Sequence, residues 1–105
     1  MNNKVGNYEL DWDNVEDVEV TIDPTTSYYT PTKNGIFFIA AQSNKTDIAQ
    51  VKVTDILSDR LIAFFYVSPN YWRDCAAVQI NSNRQIRIEI LNGNTITYSY
   101  FVPFK

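Results

Sequence analysis

Apolar and polar side chains alternate along most of this chain, the period-2 pattern of half-buried β-strands. Val18, Val20 and Ile22 alternate with Asp17, Glu19 and Thr21 until Asp23-Pro24 stops them. Ser27 to Thr30 is a short aromatic strand before Pro31, and Ile36 to Gln42 follows the turn Lys33-Asn34-Gly35. Asp47 to Thr54 and Arg60 to Val67 come next, then the long connection Ser68 to Asp74 and a strand from Cys75 to Ile80. Ile86, Ile88 and Ile90 alternate with Arg87 and Glu89, and Asn92-Gly93, the strongest hairpin signal in the chain, leads to Thr95–Val102. Helical spacing is never sustained beyond about one turn.

Eight short strands at about ten-residue intervals predict an all-β protein, an antiparallel two-sheet β-sandwich or jelly roll, with a small closed barrel as the alternative. The strands differ in kind. Val18–Ile22 and Ile86–Ile90 carry charges at alternate positions and so have one wet face. Ile36–Ala41 and Leu61–Val67 have no polar break, so both faces of these strands are expected to be dry. A sandwich of this size has one core between its sheets. The second dry face therefore predicts self-association, with Ile36, Phe38, Phe64, Tyr66 and Tyr100 as candidate interface residues. The alternative is shielding by the Tyr71-Trp72 connection or by the N-terminal segment.

Composition strengthens the β assignment. Val, Ile, Thr, Tyr, Phe and Trp account for 44 of the 105 residues, against 19 for Ala, Leu, Glu and Lys. Histidine is absent and Cys75 is the lone cysteine. This composition leaves no Ser-His-Asp triad, Cys-His pair, His-ligated zinc site or intrachain disulfide. An enzyme is not expected, nor is a cofactor. Cys75, in the run Cys75-Ala76-Ala77-Val78, is expected to be a small buried hydrophobe. The net charge of −3 gives no footprint for phosphates, so no nucleic-acid partner is expected. Residues 1–23 carry −6 and the remainder +3, which divides the chain into an acidic N-terminal arm, residues 1–16, and a β domain, residues 17–105. The longest apolar run covers 7 residues, against the roughly 20 needed to cross a bilayer as a helix, so no membrane insertion is expected.

Candidate chemistry is sparse. Asp55 and Asp59 bracket a strand-to-strand turn and read as turn residues. Asp11-Trp12-Asp13-Asn14 lacks the glycine, the oxygen ligand and the closing glutamate of an EF-hand, leaving at most a looser acidic cation site. The loop Tyr71, Trp72, Arg73 and Asp74 is the candidate ligand site, since aromatic faces stack on sugar rings while adjacent polar groups orient them. The same residues could instead plug one end of the sandwich, with Arg73 paired to Asp74, or form a subunit contact.

The segment Tyr29-Thr30-Pro31-Thr32-Lys33-Asn34-Gly35-Ile36-Phe37-Phe38-Ile39 and the ending Tyr100-Phe101-Val102-Pro103-Phe104-Lys105 resemble small jelly-roll domains of bacteriophage tail-fibre, head-fibre and receptor-binding proteins. More distantly, the chain is similar to the complement globular-head and tumour-necrosis-factor-like trimers. The resemblance implies a non-enzymatic virion component, made in the host cytoplasm and trimeric through one sheet. It would present loops to a host-surface glycan or anchor to other virion proteins through its acidic arm. These 105 residues depart from a typical fibre in containing no long coiled coil or shaft. A head-fibre, capsid-decoration or tail-associated protein therefore fits better than a complete fibre.

Overall fold

The computed structural model describes residues 8–22, 25–43, 48–70, 72–92 and 95–105. Eight strands form two four-stranded antiparallel sheets: β1 (Glu16–Asp17), β2 (Thr26–Tyr29), β3 (Gly35–Gln42), β4 (Ala49–Asp55), β5 (Arg60–Val67), β6 (Arg73–Ile80), β7 (Ile86–Leu91) and β8 (Thr95–Pro103). One sheet has the order β1-β8-β3-β6 and the other β2-β7-β4-β5; they are called here the β8 sheet and the β7 sheet. The pairs β1·β8, β2·β7, β3·β6 and β4·β5 describe one long hairpin, with its tip between β4 and β5, rolled so that successive pairs fall in alternate sheets. This is the jelly-roll order.

The core lies where the alternation put it. Phe37 and Ile39 of β3, Val51 and Val53 of β4, and Ile86, Ile88 and Ile90 of β7 are fully buried between the sheets. Arg87 and Glu89 point the other way and pair at 3.2 Å on the outer surface, as the two-residue period requires. Phe101 of β8 packs on Tyr29 of β2 at a ring separation of 5.7 Å and ties the sheets together at one edge.

Three local expectations are overturned. The alternation over 17–22 is not a full strand. The β1 ladder covers two residues, after which Val18 N donates to Ser99 O at 3.0 Å and Thr21 N to Ser27 Oγ at 2.9 Å as the chain crosses to the other sheet. Alternation here reports burial, since Val18 is buried and Val20 half-buried, but not pairing. Asn92-Gly93 does not join a hairpin, because both edges of β7 are taken by β2 and β4, and both edges of β8 by β1 and β3. Asn92 instead adopts a φ of 69° and donates from Nδ2 to Ile48 O at 2.7 Å, starting a crossing between sheets. Gly93 lies outside the described residues. Finally, Cys75 is exposed rather than buried, because the inward positions of β6 are Ala76 and Val78, which pack against the core.

The end of the sandwich that carries the β4–β5 turn is tightly cross-linked. Asp55 accepts hydrogen bonds from Ser58 N at 3.0 Å and Ser58 Oγ at 2.5 Å within the turn, while Arg84 reaches both its oxygens, at 3.1 and 2.5 Å. These bonds, from Arg84 first and Ser58 next, hold the Asp55 carboxyl well below the usual carboxylate range. The turn reading of Asp55 and Asp59 is thereby met, with Asp59 at a φ of 56°. The described part of the acidic segment also lies on its own domain. Lys105 N donates to Glu9 O at 2.8 Å, Asp11 N donates to Pro103 O at 2.7 Å, and β1 pairs with β8.

Candidate functional site

The fully buried positions of β3 are Phe37, Ile39 and Ala41, so Ile36, Phe38 and Ala40 face away from the core. The register sets Phe38 between Tyr100 of β8 and Ala77 of β6, and Ala40 between Tyr98 and Cys75. Outward side chains of three neighbouring strands thus form one surface on the β8 sheet. Across it runs a continuous row of rings. Tyr98 meets Tyr100 at 5.3 Å, Tyr100 meets Phe38 at 5.3 Å, and Trp12, from the single 3-10 turn before β1, meets Phe38 at 5.7 Å and Tyr100 at 6.2 Å.

These contacts come from local necessity. Strand residues two apart share a face, which brings Tyr98 and Tyr100 together, and direct cross-strand pairing brings Phe38 to Tyr100. Trp12 reaches the row because the bonds from Asp11 N to Pro103 O and from Lys105 N to Glu9 O lay its segment against the end of β8. The row nevertheless stays open to solvent, with Trp12 55% and Tyr98 38% exposed. On the β6 side the rings give way to the exposed small side chains Cys75 and Ala77. Acidic side chains border the β1 edge, where Asp13, Asp17 and Glu19 are all exposed, while Arg73 stands on β6 at the opposite edge with its Nε on Gln42 Oε1 at 3.2 Å. The Tyr98 phenol is pushed up in pKa by partial desolvation and then by the Cys75 thiol, so it stays neutral over the physiological range.

The five candidate interface residues fall on two surfaces. Ile36, Phe38 and Tyr100 share the outer face of the β8 sheet, while Phe64 and Tyr66 project from β5, the edge strand of the β7 sheet, with their rings 4.9 Å apart. Their neighbours on that sheet include Gln50 and Lys52 opposite Tyr66 and Phe64, so the second surface is mixed rather than aromatic. Sequence reasoning missed Trp12 and Tyr98 as members of the row. Tyr98 was signalled by its two-residue spacing from Tyr100, and Trp12 by its isolation in an acidic stretch with no strand to explain it.

The candidate ligand loop is divided differently from expectation. Tyr71 lies outside the described residues. Trp72 is 67% exposed and therefore does not plug the sandwich. Arg73 and Asp74 belong to β6 and do not pair with each other: Arg73 turns to Gln42, and Asp74 Oδ1 accepts the following Cys75 N at 2.8 Å. Among the described residues, no cluster of three or more His, Cys, Asp or Glu side chains is placed to hold a metal ion, and no helix is long and apolar enough to cross a membrane. Compared with models of known protein families and with curated proteins, the chain matches none.

Proposed function

We propose that this chain is a non-enzymatic structural or attachment component of a phage particle that works as a homo-oligomer, joined through the aromatic outer face of its β8 sheet. The observation that carries the self-association is the row Trp12–Phe38–Tyr100–Tyr98, four rings each in contact with the next and partly open to solvent. Aromatic residues contiguous on a sheet face are what protein interfaces concentrate, and soluble monomers rarely expose them. Charge favours a second copy as the occupant. The face is bordered by Asp13, Asp17 and Glu19 on one edge and Arg73 on the other, so opposite edges of two copies attract. The phage assignment is supported by the jelly-roll order together with the two motifs at Tyr29–Ile39 and Tyr100–Lys105.

Static light scattering of the purified chain across a dilution series tests the association. A mass several times the 12.1 kDa of one chain is expected, falling towards a single chain in Tyr98→Glu and Trp12→Ser, two exposed positions whose replacement leaves the core intact. A single-chain mass at every concentration overturns it.

A further inference from the structure

The end of the sandwich opposite Trp72 carries a depression of about 600 Å³, open to solvent. That volume falls within the range of about 300–1,000 Å³ typical of small-molecule sites. Its frame is fixed by bonds between separate segments. Asn34 Oδ1 accepts Ser82 N at 2.8 Å, Asn34 O accepts Phe104 N at 2.9 Å, and Pro31 O accepts Asn83 N at 2.7 Å. The connection before β3, the connection before β7 and Phe104, just after β8, are therefore locked to one another, and the backbone around the depression is held in place.

The lining has a definite chemistry. Lys33 and Lys105 bring ammonium groups, and no acidic side chain lines the depression. The two ion pairs among the described residues, Arg84–Asp55 and Arg87–Glu89, leave both lysines out. The amides of Gln79 and Asn81 each offer a donor and an acceptor at the rim. Tyr8 stands edge-on to Phe104 at 5.6 Å and remains 66% exposed, so a flat ring is presented to whatever enters. An amide that donates and accepts together matches adjacent sugar hydroxyls, an exposed ring matches the C–H face of a pyranose, and unpaired ammonium groups match a carboxylate.

We infer that this depression binds a carboxylated sugar residue, with Lys33 and Lys105 on the carboxylate, Gln79 and Asn81 on the hydroxyls and Tyr8 against the ring face. The site lies at the end of the sandwich, apart from the ring row, so the inference goes beyond self-association and does not depend on it. A neutral sugar would leave the lysines without a partner, and a bare inorganic anion would leave the amides and the ring unused.

Amide NMR spectra of the isotope-labelled full chain, titrated with sialyllactose, with oligogalacturonate and with lactose as the neutral control, test the site. Both carboxylated probes should shift residues 32–34, 79–82 and 104–105, while lactose shifts them little. Lys33→Glu, at an exposed position with no described partner, should weaken binding at least tenfold while leaving the melting temperature and the light-scattering mass unchanged. Tyr8→Ala should weaken it for both carboxylated probes alike. Absence of shifts with both carboxylated probes, equal shifts with lactose, or unchanged affinity in Lys33→Glu overturns the proposal. The unchanged mass separates that failure from failure of self-association.

Discussion

Gly35 shows how narrowly one residue can be specified. A Cβ added there would sit 2.3 Å from Val102 O, 2.6 Å from Phe101 Cζ and 2.7 Å from Pro103 Cα, two of them backbone atoms that cannot step aside. Gly35→Ala should therefore destabilise the domain by about 1–3 kcal/mol, the usual cost of overpacking, measured as a lower urea midpoint with an unchanged slope. Ser99 is the opposite case. Its Oγ is buried on β8 with no hydrogen-bond partner among the described residues, so the folded state bears a desolvation cost with no return. Ser99→Ala should leave stability unchanged or raise it by up to about 1 kcal/mol in the same unfolding experiment; a loss beyond that would show the hydroxyl to be bonded. Ser99 occupies an inward position by alternation, between Tyr98 and Tyr100, and nothing in the sequence distinguishes it from an outward serine.

At the scale of elements, turn chemistry governs which strands meet. The β4–β5 hairpin was legible in Asp55 and Asp59, whose side chains and left-handed tolerance suit a turn, but the partner that secures it, Arg84, comes from the connection before β7, far along the chain. Because Asp55 has a lowered pKa in the folded state, the unfolded chain binds its proton more tightly. The contribution of the carboxylate is thus complete above its ordinary pKa near about 4 and is lost as the pH falls below that value. Asp55→Asn should melt at a lower temperature than the unmodified chain at about pH 7, and the difference should shrink by about pH 2. An unchanged difference across that range would remove the carboxylate from the account. The converse holds at Tyr29. Burial, and then the hydrogen bond it donates to Glu16, raises its pKa, so its share of stability is present at neutral pH and lost only at strongly alkaline pH.

Seven of the eight strands, β2 to β8, were legible as elements, because alternation and the Pro, Gly and Asn breaks are local; β1 was not, since the alternation that follows it reports burial without pairing. Their partners were not. Asn92-Gly93 has the composition of a tight hairpin, yet pairing depends on which edges remain free after the whole chain has rolled up, and that is a property of the complete topology. Register was legible only through its consequence, the burial of every second residue. The start of β6 shows the same limit. Arg73 and Asp74 look like loop residues by polarity, but each pairs across to β3, which supplies the ladder.

For the whole molecule, the surplus of apolar residues in Ile36–Ala41 and Leu61–Val67 marked strands that carry apolar side chains on both faces, with Leu61, Phe64 and Tyr66 left exposed on β5. It did not say that the two surpluses would point in opposite directions. Rolling the long hairpin sends β3 and β5 to different sheets, so Phe38 joins Tyr100 while Phe64 and Tyr66 end on the far side. The ring row is an assembly of outward positions from two strands, β3 and β8, and one residue from before the first strand, which no linear pattern displays. Its exposed rings are the strongest reason to expect a neighbour. Light scattering of the chain and of Tyr98→Glu measures this most directly: the account predicts a mass several times 12.1 kDa that falls towards 12.1 kDa in the variant, and a single-chain mass for the unmodified protein at all concentrations would contradict it.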